Sequence, residues 1–187
     1  MEAKNGKGCT SSSAKVLGFR RNPAKPLKKL KGKVRKLFRN RSFDGSIVAA
    51  AKSKLAELKR AVKKAEYLLE EASQRKGDGK LNDTTFEAET LAPKAIIELF
   101  EILEQTLEKA AAAKDAYAVE CVDNAAQILL GRIGSGSLLR KVAYPKGDMQ
   151  TPFVKERYST VGEAYGAVVE ALDSSHAKYD LKIPELA

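Results

Sequence analysis

The sequence predicts an all-α protein: a long helical hairpin or small bundle of three main helices, preceded by a basic, partly disordered N-terminal arm. Three observations lead there. After residue 45, apolar residues recur at alternating spacings of three and four, the period of a helix with one buried side. Aromatics are only 6% of the 187 residues and tryptophan is absent, while hydrophobic residues reach 43% and include many alanines. That balance favours closely packed helices over a bulky β core. No stretch of useful length alternates apolar and polar residues as a half-buried strand does. The length suits one domain plus a tail, divided here as a basic arm over 1–41 and a helical bundle over 42–187.

Residues 1–24 contain Gly6, Gly8, a Ser11–Ser13 run and Pro23, with little to bury, and are expected to stay disordered until bound. The stretch from Arg20 to Arg41, RRNPAKPLKKLKGKVRKLFRNR, is the most charged in the chain. Within it Leu27, Leu30, Val34 and Leu37, widened by Phe38, mark one side of a short helix over about 26–39. Pro26 suits its first position, where a backbone N–H has no partner in any case. Gly32 weakens it by about 1 kcal/mol relative to Ala, so full folding is expected only against a partner. Its other side is entirely basic.

The net charge of +10 is concentrated there. Fourteen of the 34 Lys and Arg, but only one of the 24 acids, lie in residues 1–41; that segment carries +13 and the remainder −3. Such asymmetry marks an interaction arm for a polyanion: nucleic acid, an anionic membrane surface or an acidic protein. The side chains expected to make the contact are Arg20, Arg21, Lys25, Lys28, Lys29, Lys31, Lys33, Arg35, Lys36, Arg39 and Arg41. Aromatics scarcely interleave with them, so phosphate contact is better supported than base stacking.

Asn40 to Ser46 reads as a hinge, with Asp44 or Ser46 able to cap the next helix. Over about 46–75, Val48, Ala51, Leu55, Leu58, Val62, Ala65, Leu69 and Ala72 keep a period of 3.5 residues, as in a coiled-coil seam. Early lysines on this helix (Lys52, Lys54, Lys59, Arg60, Lys63, Lys64) would extend the cationic surface of the arm, or merely be solvated. Lys76 to Asp83 is a turn marked by Gly77 and Gly79. Thr84 with Glu87 fits a capping box, and Thr90 ahead of Pro93 is a second candidate start. Ile96, Phe100, Leu103, Leu107 and Ala110 form one stripe, and Ala118, Val122, Ala125 and Leu129 another. With no Gly or Pro between Pro93 and Gly131, one long helix over about 91–130 is expected in preference to two. The glutamates Glu98, Glu101, Glu104 and Glu108 are expected to face solvent or the lysines of the 46–75 helix.

GRIGSG (Gly131–Gly136) reads as a helix stop. A short helix is expected over 137–144, then an extended connection over 145–159 containing Pro145, Gly147 and Pro152. A last helix over about 160–180 is capped by Thr160 with Glu163 and striped by Val161, Tyr165, Val168 and Leu172.

No reaction is legible, and the chain is not expected to be an enzyme. GRIGSG lacks the Lys and Ser/Thr of a phosphate-binding P-loop and follows a helix, not a strand. Its amides could still meet a nucleic-acid phosphate, helped by Arg132, Arg140 and Lys141. His176 near Asp173 and Asp180 has the spacing of a metal face but reads as surface, and the acidic helix lacks the Glu-x-x-His motif of di-iron bundles. No cofactor and no metal are therefore expected. Cys9 and Cys121 have no CxxC partner, which argues for free thiols in a reducing intracellular compartment. The acid-poor, Ser/Lys/Arg-rich N-terminus leaves organelle import open.

These readings converge on a non-catalytic structural component of a ribonucleoprotein or other large assembly. The arm would lie along phosphates and the bundle would face protein neighbours. RNA is preferred over DNA, because no element is shaped to read a major groove. The alternative is a helical scaffold or adaptor whose cationic amphipathic helix docks on an anionic membrane surface or an acidic protein partner.

Overall fold

The computed structural model describes residues 43–136, 138–139 and 150–183. The arm over 1–41 with its amphipathic segment, the helix expected over 137–144 and the C-terminal Pro184 lie outside the described residues, apart from Leu138 and Leu139.

Four long helices account for almost all of what is described: α1 (Gly45–Gly77), α2 (Asp83–Ala112), α3 (Ala116–Gly134) and α4 (Gln150–Leu172), followed by a single 3-10 turn at Ala177–Tyr179. No strand occurs among the described residues. The all-α expectation holds, but the number of main helices is four, not three.

Each helix buries most of the stripe its spacing predicts, Val48 and Leu69 of α1 being only half-buried. Ala51, Leu55, Leu58, Val62, Ala65 and Ala72 are buried along α1; Ile96, Phe100, Leu103, Leu107 and Ala110 along α2; Ala118, Val122, Ala125 and Leu129 along α3. In α4, Val161, Tyr165, Val168 and Leu172 are buried as expected. α1 packs on α2 and α3, and α4 packs on α3 and α2, so α1 and α4 occupy opposite sides of the central α2/α3 pair. Short turns make α1 and α2, and α2 and α3, antiparallel. Alanine at Ala88, Ala92, Ala95, Ala125 and Ala126 lets the backbones approach closely, while Leu58, Leu99, Leu103, Leu129 and Leu172 fill the space between them.

Three boundaries differ from expectation. The single helix over 91–130 is instead two, broken at 113–115 by Lys114 in the left-handed region (φ 54). The Asp115 N–H bonds the Ala110 carbonyl (2.9 Å) and the Lys114 N–H bonds that of Ala111 (3.1 Å), a Schellman stop normally built on glycine. Asp115 then caps α3, its carboxylate accepting from the Ala118 N–H. The break has no Gly or Pro to announce it. α2 already matches α1 in length, so a continuous helix would run on past it and leave the second stripe uncovered; the turn folds that stripe back onto the core.

The capping box expected at Thr84 and Glu87, and the alternative start at Thr90, are both replaced by Asn82, which accepts the Thr85 N–H at 2.8 Å. α2 runs through Pro93, which is buried. Proline there removes one ladder bond, a cost of about 3 kcal/mol that flanking burial of Ala92, Ala95 and Ile96 offsets.

The last helix starts at Gln150, ten residues earlier than expected, and ends at Leu172. Pro152 falls in its first turn, where proline is tolerated. Val154 and Arg157, both buried, extend the stripe backwards. Thr160 is therefore interior, its hydroxyl bonding back to the Glu156 carbonyl (2.9 Å). Of the two candidate caps of α1, Asp44 is the one used: it accepts from the Ser46 N–H (3.2 Å) and hydroxyl (2.6 Å). Those bonds hold its exposed carboxyl below the usual carboxylate range.

Candidate nucleic-acid interface

Arg20, Arg21, Lys25, Lys28, Lys29, Lys31, Lys33, Arg35, Lys36, Arg39 and Arg41 all lie outside the described residues. What the fold places is the point from which their segment departs. Phe43, Ile47 and Val48, none of them fully buried, pack against the core at the start of α1. The chain therefore leaves the bundle from a fixed end of α1.

From that end a basic surface continues onto the fold. Lys52, Lys59, Arg60, Lys63 and Lys64 are exposed along α1, and none of them joins an ion pair among the described residues. Lys54 is withdrawn from the set. It is half-buried and bonds the Asp123 carboxylate of α3 at 2.7 Å. A partner 69 residues away could not be named from sequence. The positive surface lies on the first two-thirds of α1, counted from the end at which the arm departs.

The acidic side chains of α2 do not neutralise it. Glu101, Glu104 and Glu108 are exposed and Glu98 is half-buried. The ion pairs that do join α1 to α2, Arg75–Glu89 (2.9 Å) and Lys76–Asp83 (2.9 Å), both lie near the turn, and one Arg75 guanidinium nitrogen reaches both Glu89 oxygens. Basic and acidic surfaces therefore coexist on one hairpin without cancelling.

GRIGSG is a helix stop. α3 ends at Gly134, the Gly136 N–H bonds the Ile133 carbonyl (3.0 Å) with φ at +77, and the Ser135 N–H bonds Gly131 (3.0 Å). Those two amides are consumed, and a helix C-terminus presents carbonyls, so the loop does not form a phosphate cradle.

The C-terminal turn builds a polar cluster that the sequence did not announce. Lys178 pairs with Asp115, and the Tyr179 hydroxyl donates to the same carboxylate (3.0 Å). Lys109 at the end of α2 donates to the Tyr179 carbonyl (2.9 Å), and the Tyr117 hydroxyl donates to Asp173 (2.6 Å). Burial pushes the Asp115 carboxyl up, but the bonds from Lys178, the Ala118 N–H and Tyr179 outweigh it and leave it below the usual range. The Tyr179 phenol is pushed up to about 12 by burial and by its acidic neighbour. Cys121 is buried beside Ser175 and Tyr117, and burial raises its thiol. Burial lowers the His176 imidazole. Among the described residues no three His, Cys, Asp or Glu side chains come together as a metal group. This cluster ties the chain end to the α2/α3 turn; its geometry is that of a clasp.

No described helix is long and apolar enough to cross a membrane. No family of known proteins matches the chain, and no curated protein or solved structure does either.

Proposed function

We propose that this is a non-catalytic structural protein that holds nucleic acid through its N-terminal arm, RNA in preference to DNA, as a component of a ribonucleoprotein or another large assembly. The observation that carries the reading is the charge asymmetry: +13 over residues 1–41 against −3 over the rest. A segment that dense in Lys and Arg gains affinity for a polyphosphate by releasing its condensed counterions, whatever the base sequence. The exposed Arg60, Lys63 and Lys64 of α1 prolong the same electrostatic surface from the arm's point of departure. The bundle braces that point and offers its remaining faces to protein neighbours.

The test is a mobility shift with a generic RNA, comparing the natural chain with one in which the eleven basic residues of 20–41 are replaced by Gln. The expected result is a shift that the replacement abolishes. An unchanged shift overturns the reading, and retention on anionic liposomes that Leu30→Asp and Leu37→Asp remove would favour a membrane-docking adaptor instead.

A further inference from the structure

A groove of about 450 Å³ runs between the first half of α1 and the second half of α2. Its floor is apolar, formed by Leu55, Ala56, Phe100 and Leu107. Its rims have opposite charge: Lys52 and Lys59 stand on the α1 side, Glu104 and Glu108 on the α2 side, all four exposed. None of the four makes an ion pair or side-chain hydrogen bond among the described residues. Elsewhere on α1, by contrast, Lys54 and Arg75 have found acids on the helices they face.

This pattern selects its occupant. The amphipathic segment of the arm does not fit, because basic residues flank its apolar stripe on both sides: Lys31 and Arg35 on one, Lys29 and Lys33 on the other. Wherever it lay, one flank would meet Lys52 and Lys59. The groove asks for a surface with acids along one edge and bases along the other, with only the small side chains of Ala56 and Ala111 standing between them, because Leu55, Phe100 and Leu107 are already buried. The α1/α2 face itself is such a surface.

We propose that the groove is a dimer face, on which a second copy of this chain packs about a two-fold axis parallel to the helices. That axis sets α1 of one copy opposite α2 of its partner, so the lysine rim meets the glutamate rim twice. The heights agree. α1 and α2 are antiparallel with Arg75 level with Glu89, which puts Lys59 level with Glu104 and Lys52 about one turn from Glu108. A two-fold perpendicular to the helices would set lysine against lysine and is disfavoured. The four helices brought together are each antiparallel to their neighbours, as in a dimer of helical hairpins. Both copies of α1 run in the same direction, so the two arms leave from one end of the dimer.

The inference is independent of what the arm binds, and its test uses the full chain freed of nucleic acid. Sedimentation equilibrium at low salt is expected to show a species of twice the monomer mass that weakens as salt is raised. Lys52→Glu with Lys59→Glu is expected to raise the dimer dissociation constant by about a hundredfold, because like charges then face one another. Glu104→Lys with Glu108→Lys is expected to do the same. Mixed in equal amounts, the two variants carry matching rims and should form a one-to-one heterodimer, with circular dichroism confirming that each is helical. A wild-type protein that stays monomeric throughout, a dimer indifferent to either double substitution, or a mixture that fails to associate would each overturn the proposal.

Discussion

Lys178 reaches back across 63 residues to pair with Asp115, the residue that also caps α3. One carboxylate thus serves a helix start, a chain end and the Tyr179 hydroxyl, and it sits at the one turn where the helix would otherwise run on. Its folded pKa is depressed, so the stability it supplies is present above the unfolded carboxylate value near 4 and is lost as pH falls through the folded one. Asp115→Asn keeps an acceptor for the cap but loses the charge that Lys178 and the Tyr179 hydroxyl bond to, and should lower stability at neutral pH by roughly 1 to 2 kcal/mol. Urea denaturation at pH 7 and pH 3 checks this. The deficit should shrink at pH 3, where the natural side chain is being protonated as well.

Lys114 holds a left-handed conformation that suits glycine. Lys114→Gly should therefore stabilise the protein, by about 0.5 to 1 kcal/mol after the greater freedom of glycine in the unfolded chain is subtracted. Lys114→Val should do the reverse. Thermal unfolding of the two variants side by side gives the sign directly, and a loss of stability in the glycine variant would contradict the geometry of the turn.

Leu58 is fully buried in α1, whereas Tyr67 on the same helix is 62% exposed. Leu58→Ala should cost about 2 to 5 kcal/mol through lost transfer energy and an unfilled cavity. Tyr67→Ala should stay within about 0.5 kcal/mol. Equal costs would mean that the heptad face of α1 points elsewhere.

If about ten arm cations meet phosphates, the observed RNA affinity should fall with a log–log salt slope on the order of −7 to −9. Lys63→Gln and Lys64→Gln, which avoid the groove rims, should each reduce the magnitude of that slope by about 1 if α1 shares the contact. Filter binding across a salt series measures both. A flat response would exclude a phosphate-driven interaction.

The amino-acid pattern alone determined that the described residues are helical and which side of each helix is buried. The three-and-four spacing of Leu55, Leu58 and Val62, of Phe100, Leu103 and Leu107, and of Val161, Tyr165 and Val168 is a local, periodic signal that folding leaves unchanged. The uneven charge is equally plain in one dimension. Tertiary structure alone decided where helices stop and start. Pro93 remains helical because its neighbours are buried. Lys114 breaks a breaker-free run because α3 must turn its own stripe back to the core. Gln150 starts a helix because Val154 and Arg157 have a core to join. The pairing of Lys54 with Asp123, the Asp115 clasp and the opposed rims of the α1/α2 groove were likewise beyond reach. Each joins residues far apart in the chain, and proximity of that kind exists only once the helices have packed.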